Sequence, residues 1–211
     1  MKVLIIGGAG FLGSNLVRHC LAVNSCQVTV LDSLDPLLHS TTQSLQEVWS
    51  QIRFIRGDIR NETLLAEIVQ DQDVIFHCAA QTSHALSVRY PLLDAEINCL
   101  GSLKLLDAVR LLNPDAVVVY SSSSTVIGKK LNNIADEEHP ERPLEIYSAN
   151  KGVVEKYFRI YHTHYDMKTV VLRFANLYGP FGKGYSEFGF INYFIHLAWT
   201  NQQIKIFGEG D

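Results

Sequence analysis

The chain has little of what marks the specialised protein classes. It carries only 6 prolines and 4 cysteines in 211 residues. Cys20, Cys26, Cys78 and Cys99 form no C-x-x-C pair, so no metal site is expected. Together with the lack of a secretory leader, they read as reduced, mostly buried thiols of a cytoplasmic protein. No apolar run approaches the ~18 residues that a membrane helix needs, and no membrane partner is expected. The opening stretch MKVLIIGGAGFLG lacks the long apolar core and small-residue cleavage site of a signal peptide. Charge is scarce too. Charged residues make up 19%, the net charge is −4, and Lys and Arg are scattered, which gives no footprint for nucleic acid. The 47% hydrophobic content that remains is ordinary for a globular chain with one core, or one core and part of another.

Short β-branched runs alternate with longer helical patterns throughout. KVLII (Lys2–Ile6), QVTVL (Gln27–Leu31), IRFI (Ile52–Ile55), DVIFHCA (Asp73–Ala79), DAVVVYSS and KTVVLRF read as six strands. Between them lie FLGSNLVRHCLAV, the Asn-capped NETLLAEIV, one long helix over Leu92–Leu112, and YSANKGVVEKYFRIYHTHY. The long helix is expected to stop at Asn113-Pro114, because the residue before proline avoids helical geometry. Alternation of this kind, with continuously apolar strands, predicts an α/β fold: a doubly wound parallel sheet covered on both faces.

Directly after the first strand, Gly7, Gly10 and Gly13 give G-x-x-G-x-x-G and open the first helix. Glycines there let backbone N–H groups approach a pyrophosphate, and the helix start adds partial positive charge. The second strand ends at Asp32, about 20 residues on, where a dinucleotide fold wants a carboxylate for the adenosine ribose. An acid there favours NAD, since it would repel a 2′-phosphate, and no Arg follows at Ser33 or Leu34. Tyr147 and Lys151 are four apart on one helix face. A phenol titrates near about 10. A neighbouring ammonium should bring it down into the range of a general base.

With "GDI" (Gly57–Ile59), "HCAAQ" (His77–Gln81) and the run "YSSSSTVIG" (Tyr120–Gly128), these motifs resemble the extended short-chain dehydrogenase/reductase family. The likeness is to its NAD-dependent nucleotide-sugar epimerase/dehydratase group. It covers essentially the whole chain, in order, and implies a Rossmann-type domain over residues 1–174 and the beginning of a substrate-binding domain over 175–211. By this resemblance Phe11 and Leu12 lie along the pyrophosphate with the glycines, and Asp32 holds the adenosine ribose. Asp58 and Ile59 flank the adenine. Cys78, Ala79 and Ala80 pass under the cofactor, with Gln81 nearer the nicotinamide side. Asn98 sits near the cofactor, and Lys151 binds the nicotinamide ribose. Ser121 and Ser122 are strand-end residues near the cofactor.

In the sugar 4-epimerases of the group the serine segment typically reads S-S-S-A-T-V-Y-G. Alignment on Gly128 makes Ser123 the catalytic hydroxyl, with Ser124 in place of alanine and Ile127 in place of tyrosine. The 4,6-dehydratases carry Asp-Glu at the next two positions; here Ser124-Thr125 stand there, which favours an epimerase. Asn176, in LRFANLYGPFG, matches an asparagine near the substrate phosphates. The resemblance also implies a homodimer built on the helices at Leu92–Leu112 and Ser148–Tyr165. Relatives of this family continue for roughly a further small domain beyond the point where IKIFGEGD stops, so the chain is read as part of a longer protein, with a natural truncation as the alternative. A reductase, decarboxylase or dehydratase on the same scaffold, or a non-catalytic NAD sensor, remain the alternatives.

Overall fold

The computed structural model describes residues 1–23, 26–131 and 134–206. Six strands form one sheet: β1 Lys2–Ile6, β2 Gln27–Asp32, β3 Ile52–Arg56, β4 Val74–His77, β5 Val117–Ser123 and β6 Lys168–Phe174. All pair in parallel, in the order β3-β2-β1-β4-β5-β6. Each strand lies where its apolar run predicts. β4 is shorter than expected, and β5 runs further, so that Ser121, Ser122 and Ser123 all belong to the strand.

Alternation along β1 sorts the core into two layers, because successive side chains point to opposite faces. Val3 and Ile5 join Val17, Val28, Val30 and Leu45 under helix α1 (Phe11–Ala22) and the 3-10 segment Thr42–Gln51. Leu4 and Ile6 join Leu31, Ile75, Val118 and Phe158 on the other face. That face is covered by α2 (Glu62–Ile68), α5 (Gly101–Leu112) and α6 (Ile146–Tyr165). Burial of a large apolar side chain is worth about 1.5–3 kcal/mol, so both layers are needed to hold the sheet.

The long helix expected over Leu92–Leu112 is not uniform. After α3 (His84–Arg89) comes α4 (Pro91–Ala95), then a π-turn over Glu96–Leu100, and then α5. The Gly101 N–H reaches back five residues to the Glu96 carbonyl. Strand order reverses between β1 and β4, and in open α/β sheets the crevice beyond the strand C-termini at that point takes ligands. Beyond β6, residues 175–206 contain a 3-10 turn (Ser186–Phe188) and α7 (Phe190–Trp199). Residues 207–211 of the second expected domain lie outside the described residues. Among the described residues no helix is long and apolar enough to cross a membrane.

Candidate active site

A cleft of about 720 Å³ opens across the C-terminal ends of the strands. Gly7 and Gly13 explain its floor. Gly7 has φ +81°, and a Cβ there would lie 2.5 Å from the Ala79 nitrogen. A Cβ at Gly13 would lie 2.2 Å from the Gly7 carbonyl oxygen. The turn can therefore sit against β4 and the helix against the turn only while both residues lack side chains. N-cap Gly10 supplies no side-chain cap to α1, which leaves the first-turn N–H groups without a side-chain acceptor where Phe11, Leu12 and Gly13 line the cleft. This donor set fits a pyrophosphate.

Asp32 closes β2. Its carboxylate accepts from the Ala9 N–H (3.0 Å), the Leu34 N–H (2.9 Å) and the Ser40 hydroxyl (2.9 Å). Asp58 accepts three bonds from Arg60, including Nη2 at 2.7 Å, and the guanidinium holds its carboxyl below the usual aspartate range. Ile59, Cys78, Ala79, Ala80 and Asn176 line the same cleft.

At the other end stand the acid–base candidates. Lys151 donates to the Ser121 carbonyl at 2.8 Å, and its Nζ lies 4.7 Å from the Tyr120 ring centroid. Burial lowers its pKa to about 8. Ser123 ends β5 and caps the 3-10 turn Ser124–Ile127 by accepting from the Thr125 N–H at 3.2 Å; its hydroxyl also lies 2.9 Å from that of Thr125. Ser121 donates to the His77 carbonyl at 3.0 Å.

Two expectations, for Tyr147 and for the Gln81 and Asn98 pair, change here, and Ser122 gains a detail. The phenol of Tyr147 is not lowered by Lys151: burial, and then the charges of Asp94 and Glu145, hold it above the ordinary tyrosine value, opposed by the nearby Ser123 hydroxyl. Ser122 lines the cleft, but its hydroxyl turns to Glu155 on α6, a carboxylate that Arg173 clamps through Nε and Nη2. Gln81 and Asn98 do not line the cleft. They bond each other behind it, Gln81 N–H to Asn98 Oδ1 at 2.9 Å and Asn98 Nδ2 to the Gln81 carbonyl at 3.1 Å.

That pair belongs to a platform that sequence reasoning missed. Asp94, fully buried, accepts from Gln81 Nε2 (2.8 Å), Asn98 Nδ2 (3.0 Å) and Asn150 Nδ2 (2.7 Å). It ties the end of β4, the π-turn and the first turn of α6 into one unit, so the lysine and tyrosine stand on a rigid base. A buried carboxylate needs such donors to remain in place. The i,i+4 spacing of Asp94 and Asn98 was the available signal. His84 was missed as well: it lines the cleft, its ring centroid is 4.9 Å from that of Tyr147, and Nδ1 contacts the Glu145 carboxylate.

Residues 3–211 match the model of the NAD dependent epimerase/dehydratase family. The chain belongs to this family. Among its relatives, the UDP-glucose 4-epimerase of Mycolicibacterium smegmatis is 34% identical over 215 residues, covering 100% of this chain and 67% of that protein. The crystal structure of UDP-glucose 4-epimerase with UDP-glucose from Thermotoga maritima superposes with a TM-score of 0.90 at 31% identity, over 100% of this chain and 67% of the other. The chain is also similar to a dTDP-glucose 4,6-dehydratase, DesIV from Streptomyces venezuelae, solved with NAD and TYD bound. It matches with a TM-score of 0.90 at 30% identity, over 100% of this chain and 66% of that one. The chain thus spans about two thirds of the length of these members. NAD is the cofactor the family's own description carries.

Proposed function

We propose that the protein is an NAD-dependent epimerase of a nucleotide-linked sugar, working through transient oxidation to a keto sugar. On this reading Gly7, Gly10, Phe11, Leu12 and Gly13 hold the pyrophosphate, and Asp32 the adenosine ribose. Asp58 and Ile59 lie at the adenine. Lys151, donating from the floor of the cleft, holds the nicotinamide ribose. Residues 175–211 begin the substrate-binding part, with Asn176 toward the sugar-nucleotide phosphates.

NAD, when bound, supplies the hydride acceptor, and its cationic ring lowers the phenol of Tyr147. Tyr147 takes the proton of the reacting sugar hydroxyl and returns it after the keto sugar has changed face. Ser123 hydrogen-bonds the same hydroxyl and fixes its distance from the phenol.

The observation that carries the choice of epimerase is the make-up of the cleft wall beside Ser123. Ser124 and Thr125 line it, whereas among the described residues the carboxylates that line the cleft are Asp32 at the end of β2, Asp35 after it and Asp58 after β3. Elimination of water wants an acid and a base next to the keto carbon, and hydroxyls supply neither at neutral pH. A homodimer in the cytoplasm completes the proposal; Leu100, Leu111, Ile160 and Tyr165 are exposed apolar residues on the helices a partner copy would cover.

The test is incubation of the full-length protein with UDP-, GDP-, dTDP-, CDP- and ADP-sugars, followed by NMR of the products. The expected result is a C-epimer at equilibrium with no net change in reduced nicotinamide. A 4-keto-6-deoxy product overturns the reading in favour of a dehydratase, and stoichiometric nicotinamide turnover in favour of a reductase or decarboxylase.

A further inference from the structure

The segment leaving β6 crosses the outer end of the cleft and is fastened by contacts that the proposed chemistry does not use. Asn15 on α1 donates to the Pro180 carbonyl at 3.0 Å, and the Arg18 guanidinium lies 3.9 Å from the Phe181 ring centroid. His39 follows the 3-10 turn Pro36–Leu38 with φ 49°. Its ring stacks on Tyr185, with centroids 4.8 Å apart, and meets Phe188 edge-on at 5.9 Å. Between these anchors Lys183 donates through Nζ to the Leu38 carbonyl, 145 residues away in the chain. Residues 180–188 therefore form a strap from α1 to the loop after β2.

Lys183 is the unusual member of the strap. It lines the cleft together with Asp32, Asp35, Leu38 and Ser40. It is half-buried, yet among the described residues no carboxylate comes within ion-pair distance of it. Its contacts are the Leu38 carbonyl and the Phe188 ring, whose centroid is 4.4 Å away. Burial pulls its pKa below the ordinary lysine value, and the charge of Asp32 draws it back up. An ammonium has three N–H donors. A partly desolvated cation with donors to spare, facing a cleft, is completed by an oxygen-rich anionic ligand.

We propose that Lys183 is a cofactor-binding residue, latching the 180–188 strap over the adenosine end of NAD and donating to its ribose-phosphate oxygens. The proposal rests on the reading that the cleft takes NAD. Of the two diphosphates in the proposed reaction, the dinucleotide is favoured because Lys183 donates to Leu38 and lines the cleft with Asp32 and Ser40, residues at and after the end of β2, whereas Ser123 and Tyr147 stand on β5 and α6.

The test measures NAD binding and release by calorimetry and stopped-flow fluorescence on the full-length protein stripped of nucleotide. Lys183→Met should weaken NAD about tenfold or more, the loss expected for a charge-assisted hydrogen bond, chiefly through faster release. Lys183→Arg should recover most of the affinity. Tyr185→Ala, which loosens the strap but keeps the ammonium, should speed both binding and release. Melting of the nucleotide-free variants checks that each is folded. Wild-type NAD affinity in Lys183→Met overturns the proposal. So does weakened binding of UDP or dTDP with NAD binding unchanged, which would assign the lysine to the sugar nucleotide. A wild-type protein that binds no NAD overturns the cofactor reading itself, and the role of Lys183 falls with it.

Discussion

The two ends of the cleft present their groups by opposite means. At the β1–β2–β3 end the contacts come from main chain and from glycines, and apart from the Ala9 N–H on Asp32 the carboxylates are held by donors close in sequence. Asp32 is bonded by Leu34 and Ser40, and Asp58 by Arg60. At the β4–β5–α6 end they come from buried side chains whose ionisation is displaced. Burial raises Cys78 to about 12, lowers Lys151 to about 8 and lowers His77 to about 3. The first end is made by shape, and it tolerates no added atom. The second is made by charge, and it tolerates no lost partner. Displaced ionisation of this kind gathers where protons are moved.

The sharpest break of this contrast is at the charged end. Tyr147→Phe should lower kcat by about 10²–10⁴, the usual worth of a general acid–base, while NAD stays bound. Product NMR and bound-nucleotide analysis read the two halves separately, and an active variant would move the proton-handling role away from α6. At the shaped end, Gly13→Ala drives a Cβ to 2.2 Å from the Gly7 carbonyl oxygen, whereas at Gly10 the nearest atom is 3.2 Å away. Gly13→Ala should cost about 1–3 kcal/mol in denaturant unfolding and Gly10→Ala clearly less. Equal stability of the two would mean that shape does not limit the turn.

A third measurement probes burial of charge without touching the ligand. His77 is fully buried and neutral in the fold, with its pKa lowered from 6.5 to about 3 by burial and then by the charge of Lys151. Below 6.5 the unfolded chain binds a proton that the native state refuses. The contribution is whole above 6.5 and is lost as pH falls toward 3, at up to about 1.4 kcal/mol per unit. Thermal unfolding between pH 7 and 5 should have a shallower slope in His77→Gln; an unchanged slope excludes this source. The smallest effect belongs to the exposed rim. Arg60→Ala should cost less than about 1 kcal/mol, and added salt should shrink even that difference. A larger loss would show that the Asp58–Arg60 pair acts as part of the core.

Legibility in the sequence follows the same division. The strands were readable because parallel strands covered on both faces are continuously apolar. The glycine turn, Asp32 and the Tyr147–Lys151 spacing were readable because each is local. What was missed depends on residues distant in the chain. His84 meets Glu145 across 61 positions and Lys183 meets Leu38 across 145, and no periodicity announces either contact. Gln81 and Asn98 were each singled out as residues near the cofactor, but a resemblance could not say that they bond one another behind the cleft. The upward push on Tyr147 was missed because burial and the Asp94 charge outweigh a lysine one turn away, and neither is written in Y-x-x-x-K.

The π-turn at Glu96–Leu100 carries a consequence for how the chain tolerates changes of length. An α-helix advances about 100° per residue, so one extra residue resets the angular phase of all that follows. Upstream of the reset, Asp94 points to the polar platform; downstream, Ser102 meets His77, and Leu105, Leu106 and Val109 fill the core. Removal of a single residue there would leave both segments helical while turning one against the other by more than a quarter of a revolution. Either the platform under Lys151 or the apolar layer would then face the wrong way. A one-residue deletion is therefore costly here in the middle of a helix, although the segment would stay helical throughout.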